Sequence, residues 1–137
     1  MKTEISTFAE KDLFAKHCGI EIMEVGKGYA KVRMPIKQFH LNGVGIVHGG
    51  AIFTIADFAF AVASNSHGTV ALAINASIAY FKAVSSGVLY AEAREVSLTR
   101  RLATYEIVVS HDEKGKIALF QGTVFRKKEK IPSFTTT

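Results

Sequence analysis

His48-Gly49-Gly50-Ala51-Ile52-Phe53-Thr54-Ile55-Ala56-Asp57-Phe58-Ala59-Phe60-Ala61-Val62-Ala63 reads as a helix start followed by an apolar helical run with a single acidic residue, Asp57, at its middle. A helix apolar on nearly every face is normally buried. A carboxylate set in such surroundings is costly unless something pairs with it or uses it. Two readings of Asp57 follow: a structural group bonded to a backbone amide or a buried cation, or a group that does chemistry. The helix is expected over about residues 49–66, stopping at Gly68, a residue type suited to the turn beyond a helix end.

Working outward, residues of about 7–17 read as a short amphipathic helix, with Phe8, Leu13 and Phe14 available for one face. Ile20–Val25 and Tyr29–Met34 alternate with period two around Gly26-Lys27-Gly28, a hairpin signature. Pro35 to Val47, with Asn42-Gly43 and Gly45, reads as a loop feeding the helix. Strand-like stretches follow at Val70–Lys82, Val88–Thr99, Leu102–His111 and Lys116–Arg126, and residues of about 128–137 read as a flexible tail. A hairpin, one long apolar helix and an antiparallel meander make an α+β arrangement, a sheet wrapped around a central helix.

The chain has 137 residues, 48% of them hydrophobic, which predicts a single domain with a core of ordinary size. No stretch reaches the roughly 18 consecutive apolar residues of a membrane span. The first residues lack the basic-then-apolar layout of a signal peptide, so a cytoplasmic location is expected. Cys18 is alone, which excludes an intrachain disulfide and a thiolate metal cluster, and reads as a small apolar filler. The net charge of +5 points to an anionic partner without choosing among nucleic acid, membrane and phosphorylated small molecule. Arg126-Lys127-Lys128-Glu129-Lys130 reads as a solvated tail or a binding patch. Arg100-Arg101 falls within the strand pattern instead.

The stretch Asn42-Gly-Val-Gly-Ile-Val-His48-Gly49-Gly50, then Ala56-Asp57-Phe-Ala-Phe-Ala and Ser64-Asn65-Ser66-His67-Gly68, resembles the hotdog-fold thioesterases of the phenylacetic-acid-degradation type. Tyr80-Phe81-Lys82, Arg100-Arg101-Leu-Ala-Thr104-Tyr105 and Ala118-Leu-Phe-Gln-Gly122-Thr-Val-Phe125 resemble that family's later strands, so the similarity spans nearly the whole chain. It implies hydrolysis of an acyl-CoA, of phenylacetyl or hydroxyphenylacetyl type or of medium chain, to a free acid and CoA, with no metal and no cofactor. It also implies a site shared between subunits of a homo-oligomer, a dimer or a dimer of dimers.

The residues support the same roles on physical grounds. A helix N-terminus presents unpaired N–H groups at a positive dipole end, and glycines such as Gly49 and Gly50 let a carbonyl oxygen approach closely. Gly49 N–H is the expected oxyanion donor, and Asp57 the nucleophile or the general base. Eight residues of helix place these two roughly 12 Å apart along the axis. One carbonyl cannot readily reach both, so if both groups act on the same carbon, the glycine comes from one subunit and the aspartate from another, with two antiparallel helices meeting at a two-fold axis.

The resemblance gives Asn42 a substrate- or water-orienting role, against its reading as a turn residue, and gives His48 a structural role holding the loop. Ser64, two turns beyond Asp57, and Asn75 and Ser77 on the next strand are candidates for a polar contact. Lys82, Arg100 and Arg101 are candidates for the CoA phosphates, and Phe53, Phe58 and Phe60 for an acyl pocket. The other histidines lack metal-ligand spacing. A hotdog dehydratase and a non-catalytic acyl-CoA sensor are the alternatives. The Asp-x-Asn-Pro-x-His pattern of hydratases is absent, and a nucleic-acid binder would have only the basic run near the C-terminus.

Overall fold

The apolar run forms one helix, α3 (Gly49–Asn65), and it touches every strand of a six-stranded antiparallel sheet. The computed structural model describes residues 4–131. Two short helices, α1 (Glu4–Glu10) and α2 (Leu13–His17), precede the strands β1 (Glu21–Gly26) and β2 (Tyr29–Pro35). After α3 come β3 (Thr69–Tyr80), β4 (Val88–Leu98), β5 (Leu102–His111) and β6 (Gly115–Lys130). The order across the sheet is β1-β2-β4-β5-β6-β3, which leaves β1 and β3 at the edges.

The strand alternation sets the distance between sheet and helix. On β4 and β5 the inward positions are Leu89, Ala91, Ala93, Ala103, Tyr105, Ile107 and Val109, all fully or almost fully buried. The alanines among them let Ile52, Ile55, Ala56 and Ala59 of α3 lie close against the sheet. Phe60 packs edge-on to Tyr105 with centroids 5.8 Å apart and lies 5.5 Å from Phe120. Gly122 makes that possible, because a Cβ there would stand 2.7 Å from the Phe60 ring.

Four expectations need correction. The segment 7–17 is two helices and not one, since Asp12 interrupts it and its carboxylate caps α2 by accepting from Ala15 N–H at 3.0 Å. The proposed tail is strand as far as Lys130, because β6 pairs with β3 along its length and Thr69 meets Lys130. The rest of that tail, 132–137, lies outside the described residues. Arg100 and Arg101 are not in a strand; they form the bend joining β4 to β5.

Asp57 itself is the fourth. It is exposed, not buried, because α3 lays one face on the sheet and turns Gly50, Thr54, Asp57 and Ala61, at helical spacing, to the other side. Most of the residues of α3 are alanine, glycine or aliphatic, so the outward face differs from the covered one by little more than Thr54 and Asp57. Composition alone hid which face was covered.

The edge strand β3 has an unusual surface. Its sequence, Thr-Val-Ala-Leu-Ala-Ile-Asn-Ala-Ser-Ile-Ala-Tyr, has no charged residue, and Leu72 and Ile74 are 52% and 60% exposed. It bonds β6 on one side and no described strand on the other. No described helix is long and apolar enough to cross a membrane.

Candidate active site

The start of α3 can be accounted for donor by donor. His48 is the N-cap, and its Nδ1 accepts from Gly50 N–H at 2.8 Å. Its carbonyl accepts from Ala51 N–H at 2.9 Å and Ile52 N–H at 3.2 Å. Gly49 N–H, the first of the helix, donates to no acceptor among the described residues. The helix end therefore offers a free backbone donor among the described residues, at the position where the dipole is positive and the glycine itself carries no side chain. His48 acts through its side chain as a cap, and the Gly50 N–H is taken up by that cap.

Gly49 opens on a groove of about 330 Å³ that Asn42, Ile46, Val47, Ile52, Tyr80, Phe81 and Lys82 also line. Asn42 is both a turn residue and a groove residue. Its carboxamide oxygen accepts from Val44 N–H at 3.0 Å and Ile46 N–H at 3.3 Å, building the loop. Its NH2 makes no bond among the described residues and is the end available to a ligand. Lys82 sits at the rim with Nζ donating to the Lys114 carbonyl at 2.8 Å. Tyr80 carries no site role in the sequence pattern, yet its hydroxyl donates to the Gly49 carbonyl at 3.0 Å. That contact spans 31 residues and depends on the register of β3, so no local pattern announces it.

Two turns along the helix, Asp57 faces away from the sheet near the α1–α2 corner. Its side chain reaches solvent, but the surrounding protein removes enough water from the carboxyl to raise its pKa, and the Asp12 carboxylate nearby adds repulsion of the same sign. A second cavity, of about 440 Å³, lies at this corner between Ala9, Asp12, Lys16, Ile20, Ile22 and Phe58.

Other candidates stand apart from these two places. Ser64 continues the Asp57 stripe, but it is 3% exposed and its hydroxyl turns back to the Ala61 carbonyl at 3.3 Å. Asn75 and Ser77 alternate with Ile78 and Tyr80, so they project from the side of β3 away from α3 and its groove. Arg100 and Arg101 gather with Arg126, Lys127 and Lys128 around Thr69, at the opposite end of β3 from Lys82. Phe60 is core, 1% exposed, and Phe53 packs edge-on to Phe120 at 5.1 Å, whereas Phe58 borders the cavity at the α1–α2 corner.

Residues 44–118 match the family model described as the thioesterase superfamily. An Archaeoglobus fulgidus protein described as an esterase is 52% identical over 81% of this chain and 73% of its own length. The Escherichia coli acyl-coenzyme A thioesterase PaaI is 35% identical over 85% of this chain and 84% of its own. The solved structure of the E. coli PaaI protein superposes with a TM-score of 0.88 at 31% identity, covering 94% of this chain and 97% of that one. A Streptococcus mutans protein solved with acetyl CoA bound superposes at 0.77, with 27% identity over 81% of this chain and 90% of that one.

Proposed function

Because this chain belongs to the thioesterase superfamily, as a hotdog-fold thioester hydrolase of the PaaI type, we propose that its substrate is an acyl-CoA and that Gly49 and Asp57 carry the reaction. The observation that carries the reading is the free Gly49 N–H at the head of α3, eight residues before a carboxylate of raised pKa on the helix's uncovered face. An oxyanion donor of this kind is worth about 10²–10³ in rate.

The chemistry assigned to these groups is hydrolysis. Gly49 N–H, together with the Asn42 NH2, holds the thioester carbonyl oxygen. Asp57, its carboxylate made more basic by desolvation and Asp12, takes a proton from water as the water oxygen bonds to the carbonyl carbon. Collapse of the tetrahedral intermediate breaks the C–S bond, and the proton passes to the departing thiolate. Free acid and CoA leave, and no cofactor is consumed. Attack by Asp57 itself is the competing route from the same geometry.

The roughly 12 Å between Gly49 and Asp57 along one helix requires the two groups at any one carbonyl to come from two copies of the chain. The uncovered stripe of α3 and the unpaired, uncharged edge of β3 lie on the surfaces such an assembly would use. Antiparallel pairing of β3 with its copy brings the Thr69 end of one chain beside the Tyr80 end of the other. The cluster around Arg100 and Arg101 then approaches the neighbouring copy's Gly49 groove, where Lys82 already lies, and both become available to the phosphates of CoA. A second pair of such dimers would make a tetramer. The acyl group falls beside Phe58 in the cavity of about 440 Å³, a size for an aryl or medium-chain group; phenylacetyl-CoA and its hydroxylated forms are the first choice, following the PaaI likeness.

Thiol release from aryl and straight-chain acyl-CoAs by the wild type and by Asp57→Asn tests this. Asn keeps the side chain's size and removes the base. Turnover of at least one acyl-CoA by the wild type, with a loss of ~10²-fold or more in the variant, is expected. A folded, oligomeric wild type silent on every thioester would replace the hydrolase reading with an acyl-CoA sensor.

A further inference from the structure

We infer that Tyr80 is a positioning residue for the oxyanion donor: its hydroxyl fixes the Gly49–Gly50 peptide and, through it, the direction of Gly49 N–H. The inference rests on the reading of Gly49 proposed above. Two consecutive glycines at a helix start have the widest choice of backbone angles of any pair, so the first turn of α3 needs outside restraint to present one N–H in one direction. The peptide between Gly49 and Gly50 is held at both ends. Its N–H donates to His48 Nδ1 at 2.8 Å, and its carbonyl accepts the Tyr80 hydroxyl at 3.0 Å.

The ring contributes as well as the hydroxyl. A Cβ placed on Gly49 would meet the Tyr80 ring and hydroxyl at 3.4 Å, so the tyrosine already lies against the Gly49 backbone at van der Waals distance. With the following peptide pinned by Tyr80 and His48, and the His48 carbonyl occupied by Ala51 and Ile52 N–H, the Gly49 N–H direction is set by groups on both sides of it. Tyr80 need not touch the reacting carbon to matter. It lines the same groove as Gly49 and Asn42, and it is carried by the edge strand β3 and not by the loop that holds them.

Tyr80→Phe tests the inference, since it keeps the ring and deletes only the hydroxyl of a residue 49% exposed. Against an acyl-CoA that the wild type turns over, kcat is expected to fall about tenfold, the scale of one neutral hydrogen bond. KM should stay within about twofold, and the acidic limb of the pH profile should not move, because neither substrate binding nor Asp57 depends on this hydroxyl. An unchanged kcat would overturn the inference. So would a rise in KM at constant kcat, which would make Tyr80 a binding residue, or a shifted acidic limb, which would mean a general disturbance of the site. A wild type inactive on every acyl-CoA would instead remove the thioesterase reading itself, and the inference with it.

Discussion

Asp57 is the residue whose chemistry is tuned by its surroundings, Asp12 among them. Desolvation raises the Asp57 pKa first, and the like charge of Asp12 raises it further. A general base works only when ionised, so activity should be lost as pH falls through a midpoint above the ordinary carboxylate range. Asp12→Asn removes the repulsion while keeping a side-chain oxygen able to cap α2. The acidic limb of kcat should therefore move to lower pH in Asp12→Asn, read from rate profiles between about pH 4 and 8. A limb that stays in place would mean that Asp12 does not act on the base. At this scale Asp57 and Gly49 were legible in the sequence as candidates, because an acid in an apolar helix and glycines at its start are local patterns, although the exposure of Asp57 was not. Asp12 and Tyr80 were not. Each acquires its meaning from a neighbour brought near by tertiary packing, 45 and 31 positions away in the chain.

Among the elements, α3 and the strands were legible because period-two and helical patterns are strong over long runs, whereas the break in the N-terminal helix turned on one capping carboxylate. The apolar content of β3 was legible too, but not its consequence. An uncharged twelve-residue strand left at a sheet edge is open to further pairing, and natural edges are commonly blocked with charge, often lysine. Ile74 is 60% exposed near the middle of that strand, so Ile74→Lys should leave the protomer folded by circular dichroism. It should also convert the protein to monomer in sedimentation velocity, with loss of thioester hydrolysis. An unchanged oligomer would place the assembly surface elsewhere. The fate of Ser64, Asn75 and Ser77 follows the same logic: helix-end coverage and a strand's two faces decide exposure, and neither is fixed by residue type alone.

For the whole molecule, the sheet wrapped on one helix was readable from element order, and the likeness to solved thioesterases agrees with it. The eight-residue spacing already pointed, in the sequence, to two half-sites under the proposed mechanism, Gly49 at the start of α3 and Asp57 at its middle. Gly49→Pro deletes the donor at the first helical position, where proline is accepted, after a His48 that already has extended angles of φ −59° and ψ 135°; circular dichroism checks that its ring is accommodated beside Tyr80. Taken alone, Gly49→Pro and Asp57→Asn should each be nearly inactive. If half-sites on two chains make each centre, mixing the two defective proteins under conditions of subunit exchange lets a mixed dimer assemble one centre free of both lesions. With random pairing, roughly half the dimers are mixed and each restores one centre of two, so about a quarter of wild-type activity should return. Two broken copies of one gene would then complement each other in a cell, and the eight-residue spacing on α3 would be visible as a pattern of inheritance.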